Sequence, residues 1–126
     1  MLFSGDCRPS KELQTIGKGC DLLIHEATFD DSMQLDALNK KHTTTSEALL
    51  VGKNMGAKHI LLTHFSQRYP VSSLQKCETD NNVEKRDYSL AFDLLTFSYP
   101  SQIDSLPSLT QSLSLFMENL HNKLQN

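Results

Sequence analysis

Three short apolar runs, each ending abruptly in side chains that carry chemistry, constrain this chain more than any other feature of its sequence. Leu2-Phe3 runs into Ser4-Gly5-Asp6, Asp21-Leu22-Leu23-Ile24 into His25-Glu26, and Lys58-His59-Ile60-Leu61-Leu62-Thr63 into His64. A continuous apolar run offers no polar face to water, which is the pattern of a strand buried on both sides in a parallel sheet. Parallel neighbours need long crossover connections, and helices usually supply them. The expected fold class is therefore α/β, with functional groups gathered at the carboxyl ends of the strands, where such sheets keep their chemistry.

The connecting segments carry helix signals. Pro9 opens a helix through Lys11, Glu12, Leu13 and Ile16, closed by Gly17 and Gly19. Met33 to Lys40, with Met33, Leu35, Ala37 and Leu38, predicts a short helix leading into the loop Lys41-His42-Thr43-Thr44. Thr44 and Glu47 match a capping box for a helix from Thr45 to Met55, ended by Gly56, so His42 lies just ahead of a helix N-terminus. Pro70 to Tyr88 is polar and irregular and reads as a surface insertion, while Leu90 to Tyr99 alternates loosely and is expected to form a further strand. Leu109, Leu113, Phe116, Met117 and Leu120 fall at helical spacing within Leu106 to Leu120, and the residues through Asn126 are expected to fray. A chain that opens directly on a buried-type strand is expected to have something before it, or a partner that completes it.

Composition excludes several function classes. A formal net charge of -3 and a pI near 5.9 provide no overall basic field, so any contact with nucleic acid has to be local. Cys7, Cys20 and Cys77 are odd in number and lack Cys-x-x-Cys spacing, which argues against a disulfide framework or a zinc knuckle and for reduced thiols in an intracellular compartment. No apolar run approaches the roughly 20 residues that cross a bilayer, and the first residues lack a signal peptide's charged start, so no membrane association is expected.

Asp6 follows a glycine at a strand end, where its two carboxylate oxygens could bridge two cations, although the same place suits an ordinary cap or turn. His64 at a strand end could give one ring nitrogen to zinc while a carboxylate or carbonyl holds the other, or it could be a satisfied polar group. A carboxylate beside an imidazole orients the ring and favours its protonated form, which makes Glu26 and His42 a candidate general-acid pair. The plainer alternative leaves Glu26 in a structural pairing and His42 in solvent. His25 points towards the core, and His59 and His121 carry no special reading. Two ligand-type residues cannot hold a catalytic zinc, which takes three protein ligands and a water, so the metal site is expected to be partial.

In order and spacing, Ser4-Gly5-Asp6-Cys7-Arg8-Pro9, Leu22-Leu23-Ile24-His25-Glu26-Ala27-Thr28-Phe29, Lys41-His42-Thr43-Thr44-Thr45-Ser46-Glu47-Ala48 and Leu61-Leu62-Thr63-His64-Phe65-Ser66-Gln67-Arg68-Tyr69 together resemble ribonuclease Z, the tRNA 3′-processing endonuclease family of the metallo-β-lactamase superfamily. The resemblance is to the carboxyl-terminal part of the long eukaryotic form. It implies the carboxyl-terminal half of an αββα sandwich, with a partial metallo-β-lactamase domain over residues 1–100 and a C-terminal helix with a frayed tail over 101–126. It further implies Asp6 as a carboxylate bridging two Zn2+ ions per complete site and His64 as a ligand of one of them. Glu26 and His42 would protonate the leaving 3′ oxygen while hydroxide attacks phosphorus, leaving tRNA 3′-OH and a trailer with 5′-phosphate. Arg68 would contact phosphate. The family's loop reads His-Ser-Thr where this chain has His42-Thr43-Thr44, an exchange of one hydroxyl for another. The family's His-x-His-x-Asp-His motif, later metal-binding histidine and tRNA-grasping arm all lie upstream of the matching region.

Two function classes follow, and a third, another metallo-β-lactamase-fold hydrolase acting on a small ester or a different RNA, is opposed by His25-Glu26-Ala27-Thr28 with the later His42 loop. In the first, the chain is a fragment of an active zinc-dependent endonuclease acting on precursor tRNA, inactive alone and completed by the upstream half of the same fold. In the second, it is a non-catalytic half-domain that acts as a binding or regulatory partner. Precursor tRNA, the upstream half and a second copy of the chain are the expected partners, and nucleus or mitochondrion the expected compartment. The simultaneous presence of Asp6, Glu26, His42 and His64 favours the first class, since a chain released from catalysis has no chemical need for all four.

Overall fold

The computed structural model describes residues 1–66 and 88–124. Four strands, β1 (Leu2–Phe3), β2 (Leu22–Glu26), β3 (His59–Thr63) and β4 (Tyr88–Leu90), form one parallel sheet in the order β1-β2-β3-β4. Register is continuous across the centre, where Leu23 lies beside Ile60 and Glu26 beside Thr63. The helices are α1 (Lys11–Ile16), α2 (Gln34–Lys40), α3 (Thr45–Met55) and α4 (Leu106–Leu124). The α/β expectation therefore holds.

Alternation along the strands builds a core on each face of the sheet. Leu23, Ile60 and Leu62 pack against Ala48, Val51 and Met55 of α3, with Leu13 of α1 at the margin. Leu22 and Leu61 point the other way and meet Leu106, with Ile24, Leu95, Phe97 and Ile103 around them. Gly52 lets α3 lie close on the sheet, because a Cβ there would stand 2.3 Å from Cδ1 of Ile60.

Local chemistry accounts for the helix ends. The Thr44 hydroxyl accepts from the Glu47 backbone N–H and the Glu47 carboxylate accepts from the Thr44 N–H, so both halves of the capping box are made. Gly56 closes α3 in the left-handed region at φ 68°. Helix α1 begins at Lys11 with Ser10 as its cap, one residue beyond the proline that signals it. Helix α2 ends on Lys41 at φ 61°, and the His42 N–H donates back to the Ala37 carbonyl at 2.9 Å, closing a Schellman turn.

The carboxyl-terminal region departs from expectation. The strand ends at Leu90, and residues 91–105 run as turns and a short 3-10 segment instead of a strand to Tyr99. Leu95, Phe97 and Ile103 use their apolar side chains to cover the sheet face rather than to extend the ladder. Alternating apolar residues satisfy either arrangement, which is why the pattern misleads here. Helix α4 is anchored by the buried Leu106, while Leu109, Leu113 and Phe116 are exposed. The insertion expected from Pro70 to Tyr88 lies outside the described residues except for Tyr88, which begins β4. No helix among the described residues is long and apolar enough to cross a membrane.

Leu62 is fully buried in the middle of β3. Leu62→Ala is expected to lower unfolding free energy by about 2–5 kcal/mol, read from urea denaturation; an unchanged midpoint would contradict this packing.

Candidate active site

Three adjacent strand ends and one helix-leading loop converge at the carboxyl edge of the sheet. Asp6 follows β1, Glu26 ends β2, His64 follows β3, and His42 comes from the turn between α2 and α3. Gly5, at φ 61° with nothing near its missing Cβ, makes the turn that presents Asp6. His64 itself adopts φ 62°, a left-handed conformation unusual for a residue other than glycine, and such outliers gather at functional sites.

Glu26 is the hub. Its side chain is 1% exposed, and its carboxylate is surrounded by donors. Oε1 accepts from the Cys7 N–H at 2.7 Å and from Nδ1 of His42 at 2.9 Å. Oε2 accepts from the Thr43 N–H at 3.1 Å, the Thr28 N–H at 3.4 Å and the Thr28 hydroxyl at 2.7 Å. Burial alone would push this carboxyl up, but the bonds from Thr28, Thr43, His42 and Cys7 outweigh it and hold the group below its ordinary value. Glu26 is accordingly a buried, ionised carboxylate.

His42 is locked from both sides. Its Nδ1–H faces the Glu26 carboxylate. Its backbone is fixed by the Schellman turn and by Arg8, whose Nη1 donates to the His42 carbonyl at 2.7 Å and to Oε2 of Glu47 at 2.8 Å. Nη2 of Arg8 completes a bidentate pair with Glu47. Burial raises the Glu47 carboxyl, yet Arg8 and Thr44 together bring it below its usual value. The fully buried Thr43 donates its hydroxyl to the Cys7 carbonyl, a bond that serine could also make.

Asp6 and His64 sit at the open side, with Oδ1 of Asp6 3.5 Å from Nδ1 of His64. One ligand-type atom from each of Asp6, His42 and His64 lies within 4.8 Å of the other two. The rings of His42 and His64 are 5.4 Å apart between centroids. Carboxylate oxygen and imidazole nitrogen are donors that suit zinc, and three such groups within this span fit a metal ion.

His25 and His59 do not join the cluster. His25 is fully buried, with Nδ1 donating to the Glu26 carbonyl at 2.7 Å and Nε2 without a hydrogen-bond partner among the described residues, and burial lowers its tendency to protonate despite the opposing pull of Glu26. His59 pairs with Asp104 at 3.2 Å. Burial, seconded by Glu26, raises the Cys7 thiol, so it stays protonated beside the cluster. Arg68, the expected phosphate contact, lies outside the described residues. Arg8 and Thr28 also belong to the site; both stand inside the motifs quoted above, but neither carries a titration or ligand signal of its own in the sequence.

No family model matches the chain. It is 40% identical over 118 residues to the "Zinc phosphodiesterase ELAC protein 2 homolog" of Caenorhabditis elegans, covering 94% of this chain and 13% of that protein. It is 49% identical over 94 residues to "Ribonuclease Z 1" of Schizosaccharomyces pombe, covering 75% of this chain and 11% of that protein. The crystal structure of a long form RNase Z from yeast matches at TM-score 0.66 and 39% identity, over 88% of this chain and 15% of that one. Human tRNase Z, short form, matches at TM-score 0.60 and 32% identity, over 79% of this chain and 33% of that one. A metallo-beta-lactamase fold protein from Bacillus subtilis shares the fold at TM-score 0.60. The chain thus has ribonuclease Z proteins as its homologues, spans about an eighth of the length of the curated relatives, and carries part of a metallo-β-lactamase-type fold; that fold and those relatives imply a metal, zinc.

A carboxylate whose folded value is depressed stabilises the protein above its unfolded value and loses that contribution as pH falls through the folded value. Glu26 and Glu47 both belong to this class. Stability is therefore expected to fall below about pH 4.3, the ordinary glutamate value, and Glu26→Gln should flatten that acid limb in urea titrations at several pH values. An acid limb of unchanged slope would contradict the ionised hub.

Proposed function

We propose that this chain, a homologue of part of the ribonuclease Z proteins, supplies part of a zinc-dependent site that removes the 3′ trailer from precursor tRNA, leaving tRNA 3′-OH and a 5′-phosphorylated trailer. The observation that carries this reading is the convergence of Asp6 and His64 with the Glu26–His42 pair at one sheet edge. A ligand-type carboxylate beside a carboxylate–imidazole pair suits phosphodiester cleavage, since charge develops on both the phosphate and the departing oxygen.

In this reading Asp6 and His64 would hold the metal, Asp6 as a carboxylate with an oxygen to offer each of two ions, and the other ligands would come from the upstream half. Bound zinc would supply charge to offset the phosphate and a source of hydroxide near neutral pH. His42 delivers a proton from Nε2 to the leaving 3′ oxygen. Glu26 keeps Nδ1 of that ring protonated, fixes its orientation and stabilises the imidazolium between turnovers. Arg8 keeps the His42 loop in place through the carbonyl of that residue. Arg68 contacts substrate phosphate through its planar donors.

The partial domain spans residues 1–100, with 101–126 as an appended helix and tail, and the partners are precursor tRNA, the upstream half and a second copy of the chain. Two Arabidopsis thaliana relatives are named as mitochondrial tRNase Z proteins; mitochondrion and nucleus are the proposed compartments. A second assignment for one residue has its own support: because His42 shares the 4.8 Å cluster with Asp6 and His64, it could be a third ligand instead of the acid.

Zinc content separates the two roles. In a chain joined to an upstream half that carries His-x-His-x-Asp-His, His42→Ala is expected to reduce kcat on 3′-extended pre-tRNA about 10²–10⁴-fold while zinc measured by atomic absorption stays near the parent value. Strong zinc loss would make His42 a ligand. The chain by itself is expected not to cleave pre-tRNA at any zinc concentration, and cleavage by it would overturn the partial-site reading.

A further inference from the structure

Among the described residues, Thr28 is the side chain that hydrogen-bonds to both the proton-transfer pair and the metal-ligand side of the cluster. Its hydroxyl lies 2.7 Å from Oε2 of Glu26, 2.8 Å from Nδ1 of His64 and 3.4 Å from Nδ1 of His42. A hydroxyl has one proton to donate and lone pairs to accept with. We propose that Thr28 is a positioning residue that gives its proton to the Glu26 carboxylate and therefore accepts from His64, fixing His64 as the Nδ1–H tautomer with Nε2 free for a metal.

The direction follows from counting protons. Glu26 accepts from the backbone N–H groups of Cys7, Thr43 and Thr28, which can only donate, so it is the acceptor throughout its shell. An anionic oxygen attracts a hydroxyl proton more strongly than a neutral ring nitrogen does. With its proton committed to Oε2, the Thr28 oxygen meets Nδ1 of His64 as an acceptor, and that nitrogen must carry hydrogen. His42 has the same arrangement by a direct route, since its Nδ1–H faces Oε1. Glu26 thus sets the tautomer of both rings, one directly and one through Thr28. Ligand histidines are commonly held this way, by a carboxylate or carbonyl on the nitrogen that does not bind metal. The opposite arrangement, with Thr28 donating to His64, would put the ring proton on Nε2 and block that nitrogen as a donor atom.

This inference rests on the reading of His64 as a metal ligand, but its test needs neither metal nor tRNA. The ring nitrogens of ¹⁵N-histidine-labelled chain are observed by long-range ¹H–¹⁵N correlation without zinc, at about pH 8.5, where imidazoles are neutral. His64 is expected mainly as Nδ1–H in the parent chain and in Thr28→Ser, and mainly as Nε2–H, the form free imidazole side chains prefer in water, in the isosteric Thr28→Val. Nε2–H at His64 in the parent chain overturns the proposal without any variant. So does an unchanged His64 tautomer in a Thr28→Val chain whose other histidine signals match the parent. An Nδ1–H tautomer that shifts as expected in a chain that cleaves no pre-tRNA even when joined to an upstream half carrying His-x-His-x-Asp-His would sink the proposed function and leave the role of Thr28 standing.

Discussion

A carboxylate with about a hundredth of its surface in water has no solvent to stabilise its charge, and the effective penalty for that is several kcal/mol unless donors replace the lost water. Glu26 is such a group, and much of the site can be understood as the means of satisfying it. Donors arrive from the turn after β1 through Cys7, from the segment after β2 through Thr28, and from the loop before α3 through His42 and Thr43. Three segments distant in sequence are thereby tied to a single side chain. The bonds do the opposite of relaxing the group towards neutrality, because each one favours the charged form.

Parallel topology makes the convergence possible. In a parallel sheet all carboxyl ends fall on one edge, so residues that follow β1, β2 and β3 become neighbours without any long loop having to reach them. The remaining participant, His42, cannot arrive that way because it lies between helices. Its place is secured by the left-handed turn at Lys41, by the capping box of α3 and by the Arg8–Glu47 pair, which joins the cap to the His42 carbonyl. Strain at Lys41 and His64, two non-glycine residues with positive φ, is thus located on either side of the cluster, where packed neighbours hold it.

The elements closest to the chemistry were the most legible in the sequence, for a physical reason. Leu22–Glu26 and His59–Thr63 are buried on both faces and so read as unbroken apolar runs, while the Thr44–Glu47 box and Gly56 announce α3 through backbone hydrogen bonds that need no tertiary context. Leu90 to Tyr99 misled because alternating apolar residues cover a sheet face as readily as they extend it. Thr28 and Arg8 were overlooked for a different reason. A threonine hydroxyl bridging two rings and a carboxylate, or an arginine reaching a carbonyl 34 positions away, is a property of tertiary placement and leaves no trace in spacing.

In the proposed function Asp6 and His64 would hold the metal, while His42, held on Glu26, would move a proton. Anomalous diffraction at the zinc edge from crystals of the chain joined to an upstream half that carries His-x-His-x-Asp-His tests this directly. Zinc about 2.0–2.2 Å from an Asp6 oxygen and from Nε2 of His64, with Nδ1 of His42 still on Glu26 and its Nε2 free of metal, is the predicted result. Zinc bonded to His42, or absent from Asp6 and His64, would contradict it.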